Sequence, residues 1–230
     1  MSKSNYLEDF AVGQKIVHAI PRTISEGDAS LYIALTGDRR PLFCSETFAS
    51  HLGYKEIPVH DMLVFHIAFG RTVQDISLNA IANLGYADVR FTSSVFLGDT
   101  LRRESTVIGI KENSNKKNGI VYVYSSVYNQ HNEQVLSWQR WVMLPKKNNE
   151  ALVPTTHIPE IKDHVDPKNI SIPSYLNARN FDIASTGSDK LWGDYLVGQT
   201  IDHSHGLTVD ETAHTMATHL YQNNAIHEVS

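Results

Sequence analysis

"PVHDMLVFHIAFGRTVQDI", residues 58–76, decides the fold. Met62, Phe65, Phe69 and Val73 recur at helical spacing, with Leu63, Ile67 and Ile76 alongside. A helix that is apolar around most of its girth belongs inside a protein rather than on its surface, and the reading predicts a buried helix over 59–76. After residue 84 the pattern turns to strands: "YADVRFTSSVFLG", "TLRRESTVIGIKE", "GIVYVYSSVYNQ" and "QVLSWQRWVML". Turn-forming "NSNKKNG" and "HNE" separate the last three, as in antiparallel hairpins. One buried helix followed by a four-strand meander implies an α+β fold, an antiparallel sheet wrapped around that helix. Upstream, Thr23-Ile-Ser-Glu26 has the form of a capping box and predicts a short helix through Leu31, Ile33, Ala34 and Leu35. Ser45 is placed to cap a second short helix, which Gly53 would end.

The chain repeats itself. Residues 6–38 align without a gap on 191–223 at a constant offset of 185, which pairs Asp9 with Asp194, Gly13 with Gly198, Gln14 with Gln199, His18 with His203 and Glu26 with Glu211. Ungapped self-similarity of this length is the mark of two copies of one module. Residues 1–145 read as a complete first module and 146–175, rich in Pro, Asn, Lys and Asp, as a linker. Residues 176–230 read as the opening of a second module, expected to be cut short and so to leave its apolar side chains without a partner surface.

Bulk properties narrow the function classes. At 230 residues, 41% hydrophobic, 20% charged and a net charge of −5, the chain has the makings of a globular core and lacks the basic face of a general nucleic-acid binder. The runs Arg102-Arg103 and Lys146-Lys147 are short and read as solvated. Cys44 is the single cysteine, so no intrachain disulfide forms, which fits a reducing cytoplasm. A nucleophilic role for Cys44 lacks a neighbouring His or basic cluster to lower its pKa. The first ten residues hold no signal-peptide core, and the longest apolar stretch is too short to cross a bilayer. The twelve histidines form no H-x-E or HExxH grouping, so no metal and no cofactor is expected. His18 and His203 recur at strand-like positions and read as structural.

The succession "FAVGQ", "GDRRPL", buried helix, "VRF", "GDTL" resembles the MaoC-like enoyl-CoA hydratases of the hotdog fold. Two modules joined by a linker resemble the double-hotdog branch. "VQDISLNAIANLGYA" (73–87), "RWVM" (140–143) and "HTMATHLYQN" (214–223) resemble, within that branch, the mesaconyl-CoA hydratases, also called β-methylmalyl-CoA dehydratases. The resemblance covers nearly the whole chain. It implies a hydro-lyase acting on a coenzyme A thioester, a cytoplasmic homo-oligomer with no nucleic-acid or membrane partner. Its nearest alternatives are a general (R)-specific enoyl-CoA hydratase and a non-catalytic acyl-CoA-binding fragment.

Hydration of such a double bond needs a base to activate water, a proton donor, and N–H groups that hold the thioester oxygen as it gains charge. The family's motif is a Gly-Asp followed five residues later by His. Here Asp38 is present and position 43 is Phe. At the start of the buried helix, where the resemblance implies a Gly beside the oxyanion, Asp61 stands instead. The first module is therefore expected to be a degenerate copy that shapes the pocket, with Asp38 as a turn residue or a vestigial partner. The offset of 185 sends Asp38 to Asn223, and the resemblance makes His227 the catalytic His, partnered by Asn223 or, at the expected spacing, by Gln222. Arg39 and Arg40 flank the motif, and Arg39 is the candidate ligand for a free carboxylate on the substrate, a surface ion pair being the plainer alternative.

Overall fold

The computed structural model describes residues 5–153, 155–204 and 206–223. Strand β1 (Lys15–Thr23) leads into helices α1 (Glu26–Thr36), α2 (Glu46–His51) and α3 (Asp61–Ile76). Four strands follow: β2 (Ala82–Phe91), β3 (Thr100–Glu112), β4 (Asn118–Tyr128) and β5 (Gln134–Pro145). A last helix, α4 (Glu211–Tyr221), lies far along the chain. The strands make one sheet in the order β1-β3-β4-β5-β2, antiparallel throughout.

Helix α3 supplies the core that the sheet encloses. Leu63 and Ile67 are fully buried among Leu101, Val127, Leu136 and Trp138. At its far end Ile76 joins Leu7, Phe10, Val107, Val121 and Val142 in a second cluster. A single sheet wrapped on one helix is the hotdog arrangement expected from the sequence. Strands β3, β4 and β5 fall within two residues of the expected segments.

Local chemistry moved three boundaries. Thr23 does not cap α1, because it is held in the β1–β3 ladder opposite Thr100. The capping box lies two residues on: Ser25 Oγ accepts from Asp28 N at 3.2 Å, and Asp28 Oδ2 accepts from Ser25 N at 2.9 Å. Helix α3 starts at Asp61 rather than 59, since Val59 N donates to Val95 O at 2.7 Å and the His60 side chain serves as the cap. Strand β2 begins at Ala82, earlier than its alternation suggested, because it pairs with β5 from Ala82 opposite Met143.

The repeat is visible in three dimensions. The 3-10 turn at Leu7–Asp9 recurs at Trp192–Asp194, and α1 recurs as α4, each displaced by 185. Asp9 Oδ2 accepts from Tyr6 N as Asp194 Oδ2 does from Leu191 N. Gln14 Oε1 accepts from Ala11 N as Gln199 Oε1 does from Leu196 N. Gly13 and Gly198 share φ values of 85° and 83°, a region that glycine enters freely. The cap recurs too, for Asp210, the equivalent of Ser25, caps α4. Among the described residues the counterpart of β1, residues 200–204 and 206–208, forms no strand and has no second β3 to pair with.

Residues 146–153 and 155–204 run in turns and extended segments across the first module. Lys146 Nζ fastens the start through Glu112 Oε1 and the carbonyls of Asn149 and Ala151. Further on, Asn177 N donates to Leu52 O, and Tyr175 packs edge-on against Tyr54. No helix among the described residues is long and apolar enough to cross a membrane.

Candidate active site

The two copies of the motif meet different surroundings. Helix α1 ends at Gly37 in the left-handed conformation, φ 65°, which turns the chain and presents Asp38. Arg40 grips the Asp38 carboxylate through its backbone N, Nε and Nη2, the last at 2.8 Å. His60 Nε2 lies 2.7 Å from Asp38 Oδ2 and also touches Arg40 Nη2. Because His60 Nδ1 accepts from Met62 N, its proton sits on Nε2 and is donated to Asp38. Hydrogen bonding by Arg40, then by His60, holds the Asp38 carboxyl well below the usual carboxylate range despite some desolvation.

Phe43 occupies the motif's histidine position and is buried, its ring centroid 4.5 Å from that of His60. Tyr32 closes the other side of the imidazole at 4.7 Å, and burial pushes its hydroxyl up to about 12. Asp61 is the first residue of α3, where the helix dipole favours its charge although desolvation raises its pKa. Linker residues Ser171 and Pro173 line the small hollow beside Phe43 and Asp61. An acceptor already filled by four donors makes a weak base, and a carboxylate at the helix start opposes a developing oxyanion.

Arg40 is therefore committed to Asp38. Arg39 is exposed, has no ion pair among the described residues, and lines a cleft of about 600 Å³ with Arg40, Phe48 and Phe181. Among the described residues neither arginine lines the cleft that holds Asn223 of the second motif.

That second motif lies against α3. Gln222 takes the left-handed conformation, φ 53°, in the place of Gly37, so Asn223 follows it as Asp38 follows Gly37. Gln222 is exposed and Asn223 half-buried. Asn223 lines a cleft of about 610 Å³ whose other walls are Met62, Phe65, His66 and Phe69 of α3, Tyr86 and Val89 of β2, and one face of α4. Tyr221 stacks on His66 at 4.4 Å, Arg22 Nη1 caps α4 by donating to Leu220 O at 2.5 Å, and Gly70 lets the helices touch. Had Gly70 a Cβ, it would fall 2.0 Å from Tyr221 O. His227 lies outside the described residues. His60, His66 and Tyr221 escaped the sequence reading. The repeat gave no signal for the tyrosine, since the offset of 185 pairs Tyr221 with Thr36 and Tyr32 with Ala217.

His18 packs inside the sheet, with Nδ1 2.8 Å from Asp75 Oδ2 and Nε2 2.8 Å from Ser105 Oγ. Cys44 is exposed. Among the described residues no three His, Cys, Asp or Glu side chains converge as metal ligands would.

The profile of the MaoC like domain matches residues 9–129, more than half of the chain, and takes in β1 to β4 of the sheet. The chain belongs to the MaoC-like domain family. It is 50% identical to the β-methylmalyl-CoA dehydratase of Chloroflexus aurantiacus and 47% identical to the mesaconyl-CoA hydratase of Cereibacter sphaeroides, in each case over 96% of its own length. It spans 63% and 64% of those relatives. A crystal structure from Chloroflexus aurantiacus, described as a MaoC domain protein dehydratase, superposes with a TM-score of 0.96 at 48% identity. That superposition covers 100% of this chain and 66% of the other.

Proposed function

We propose that this MaoC-like protein adds water to the double bond of mesaconyl-CoA and, in reverse, dehydrates β-methylmalyl-CoA. The names of the two relatives support this reading. One observation carries it: the second copy of the motif places Asn223 on the wall of the apolar cleft along α3. In this reading Asn223 orients a water and His227 takes and returns the proton, while α3 of the first module walls the acyl group. Coenzyme A enters as part of the substrate, and no further cofactor is needed. Asp38, held by Arg40 and His60, buttresses the first module rather than reacting. The apolar cleft lining favours one rival, a general (R)-specific enoyl-CoA hydratase. We further infer a homo-oligomer, because β2 is an open sheet edge among the described residues, and a cytoplasmic one, because the single Cys44 leaves no intrachain disulfide.

The test uses the product of the full reading frame and follows loss of the enoyl-thioester absorbance of mesaconyl-CoA. Turnover is expected, and Asn223→Ala should cut kcat by about 10²–10⁴, as removal of proton-transfer machinery does. A protein that hydrates crotonyl-CoA and ignores mesaconyl-CoA would support the rival.

A further inference from the structure

His66 stands apart in the cleft that Asn223 lines. It is half-buried on α3, stacked on Tyr221 and edge-on to Phe65 at 5.8 Å. No hydrogen bond holds its ring nitrogens among the described residues. Around it Met62, Phe65, Phe69 and Val89 present hydrocarbon. A dicarboxylic acyl group entering such a cleft brings a free carboxylate, whose desolvation is costly unless a partner of opposite charge meets it. Among the described residues two lining groups can carry positive charge, His66 and His214. His214 is exposed on the rim formed by α4, whereas His66 lies further in beneath Tyr221.

We propose that His66 binds the free carboxylate of the substrate and thereby selects a dicarboxylic enoyl-CoA over a plain one. The inference rests on the mesaconyl-CoA reading and sharpens it. Burial first, then the nearby His60, lowers the His66 pKa from its ordinary value, so the empty site holds a neutral imidazole near pH 7. Among the described residues the groups around it are His60, which caps α3, Phe65 from α3, Tyr221 and His214 from α4, and Tyr86 from β2. None is an anion at neutral pH, so the place of a counter-ion is left to the ligand. An arriving carboxylate stabilises the imidazolium, and binding takes up a proton.

The experiment compares mesaconyl-CoA with crotonyl-CoA, which has no free carboxylate, on the full-reading-frame protein between about pH 5.5 and 8, the range in which His titrates. The KM for mesaconyl-CoA should rise with pH as the imidazolium is lost, and that for crotonyl-CoA should stay flat. His66→Gln keeps a donor of similar size but cannot take the charge. It should lower the ratio of kcat/KM for mesaconyl-CoA over crotonyl-CoA by about tenfold or more at the acid end, and flatten the mesaconyl-CoA profile. An unchanged ratio, or an equal loss for both substrates, overturns the proposal. So does a selective loss in Arg39→Gln with His66→Gln indifferent, which would give the carboxylate to Arg39. If the unmodified protein turns over crotonyl-CoA alone, the mesaconyl-CoA reading has failed before any variant is made.

Discussion

At Asp38, donors from Arg40 and His60 converge on one carboxylate, and the consequence is measurable as stability. Its folded pKa is depressed, so its contribution is complete above the ordinary carboxylate pKa near 4 and fades as pH falls below it. The Arg40 side chain is 59% exposed, so solvent screening limits the gain to about 1 kcal/mol. Asp38→Asn should therefore melt a few degrees lower at pH 7, with the gap narrowing by pH 3; a gap that widens in acid would contradict this account. The absence of the motif histidine was legible at Phe43. The meeting of Asp38 with His60 was not, because the two residues come together only after α3 docks, and an imidazole cap carries no common sequence signal. His18 titrates in the same sense: burial lowers its pKa despite Asp75, and the positive charges of Arg103 and Arg140 push the same way. Stability should thus begin to fall as pH drops below about 6.5, where the unfolded chain gains a proton that the folded one refuses.

Among the elements, α3 was the clearest in the sequence, since its apolar girth admits only a buried helix. Helix α4 was legible as a repeat of α1, but its docking on α3 was not, because the contact depends on a glycine whose lack of side chain leaves no pattern. Gly70→Ala tests that contact. Alanine favours an isolated helix by about 1 kcal/mol over glycine. Here a Cβ would meet the Tyr221 carbonyl, a backbone atom that cannot step aside alone. The variant should lose thermal stability, and hydrogen exchange over residues 211–221 should quicken while the sheet amides stay protected. A stabilised variant with unchanged exchange would mean that α4 does not rest on α3 in solution.

For the whole molecule, the first copy shows what the second lacks among the described residues. Ile24 is fully buried, while its counterpart Val209 is 86% exposed. Leu7 is likewise buried and its counterpart Trp192 is 92% exposed. At about 25 cal/mol per Å² of apolar surface, these side chains gain several kcal/mol by finding a partner. The 230-residue chain should self-associate in sedimentation velocity as concentration rises, and Trp192→Ser with Val209→Ser should weaken that association. A monomer at every concentration would show that this surface is tolerated in water. The repeat that predicts this was plain at the level of single residues, whereas the path of the linker over α2 was not, for it is set by close approaches such as Gly53 to Tyr175.

The central claim is a division of labour, with the first module as wall and the second motif as reactive. The direct measurement is kcat for mesaconyl-CoA hydration by the full-reading-frame protein carrying Asp38→Asn or His227→Ala, each checked for folding by circular dichroism. His227→Ala should lose about 10²–10⁴ in rate, and Asp38→Asn should keep most of it. A loss of about a thousandfold in a folded Asp38→Asn protein, with His227→Ala still active, would place the chemistry in the first module and contradict the account.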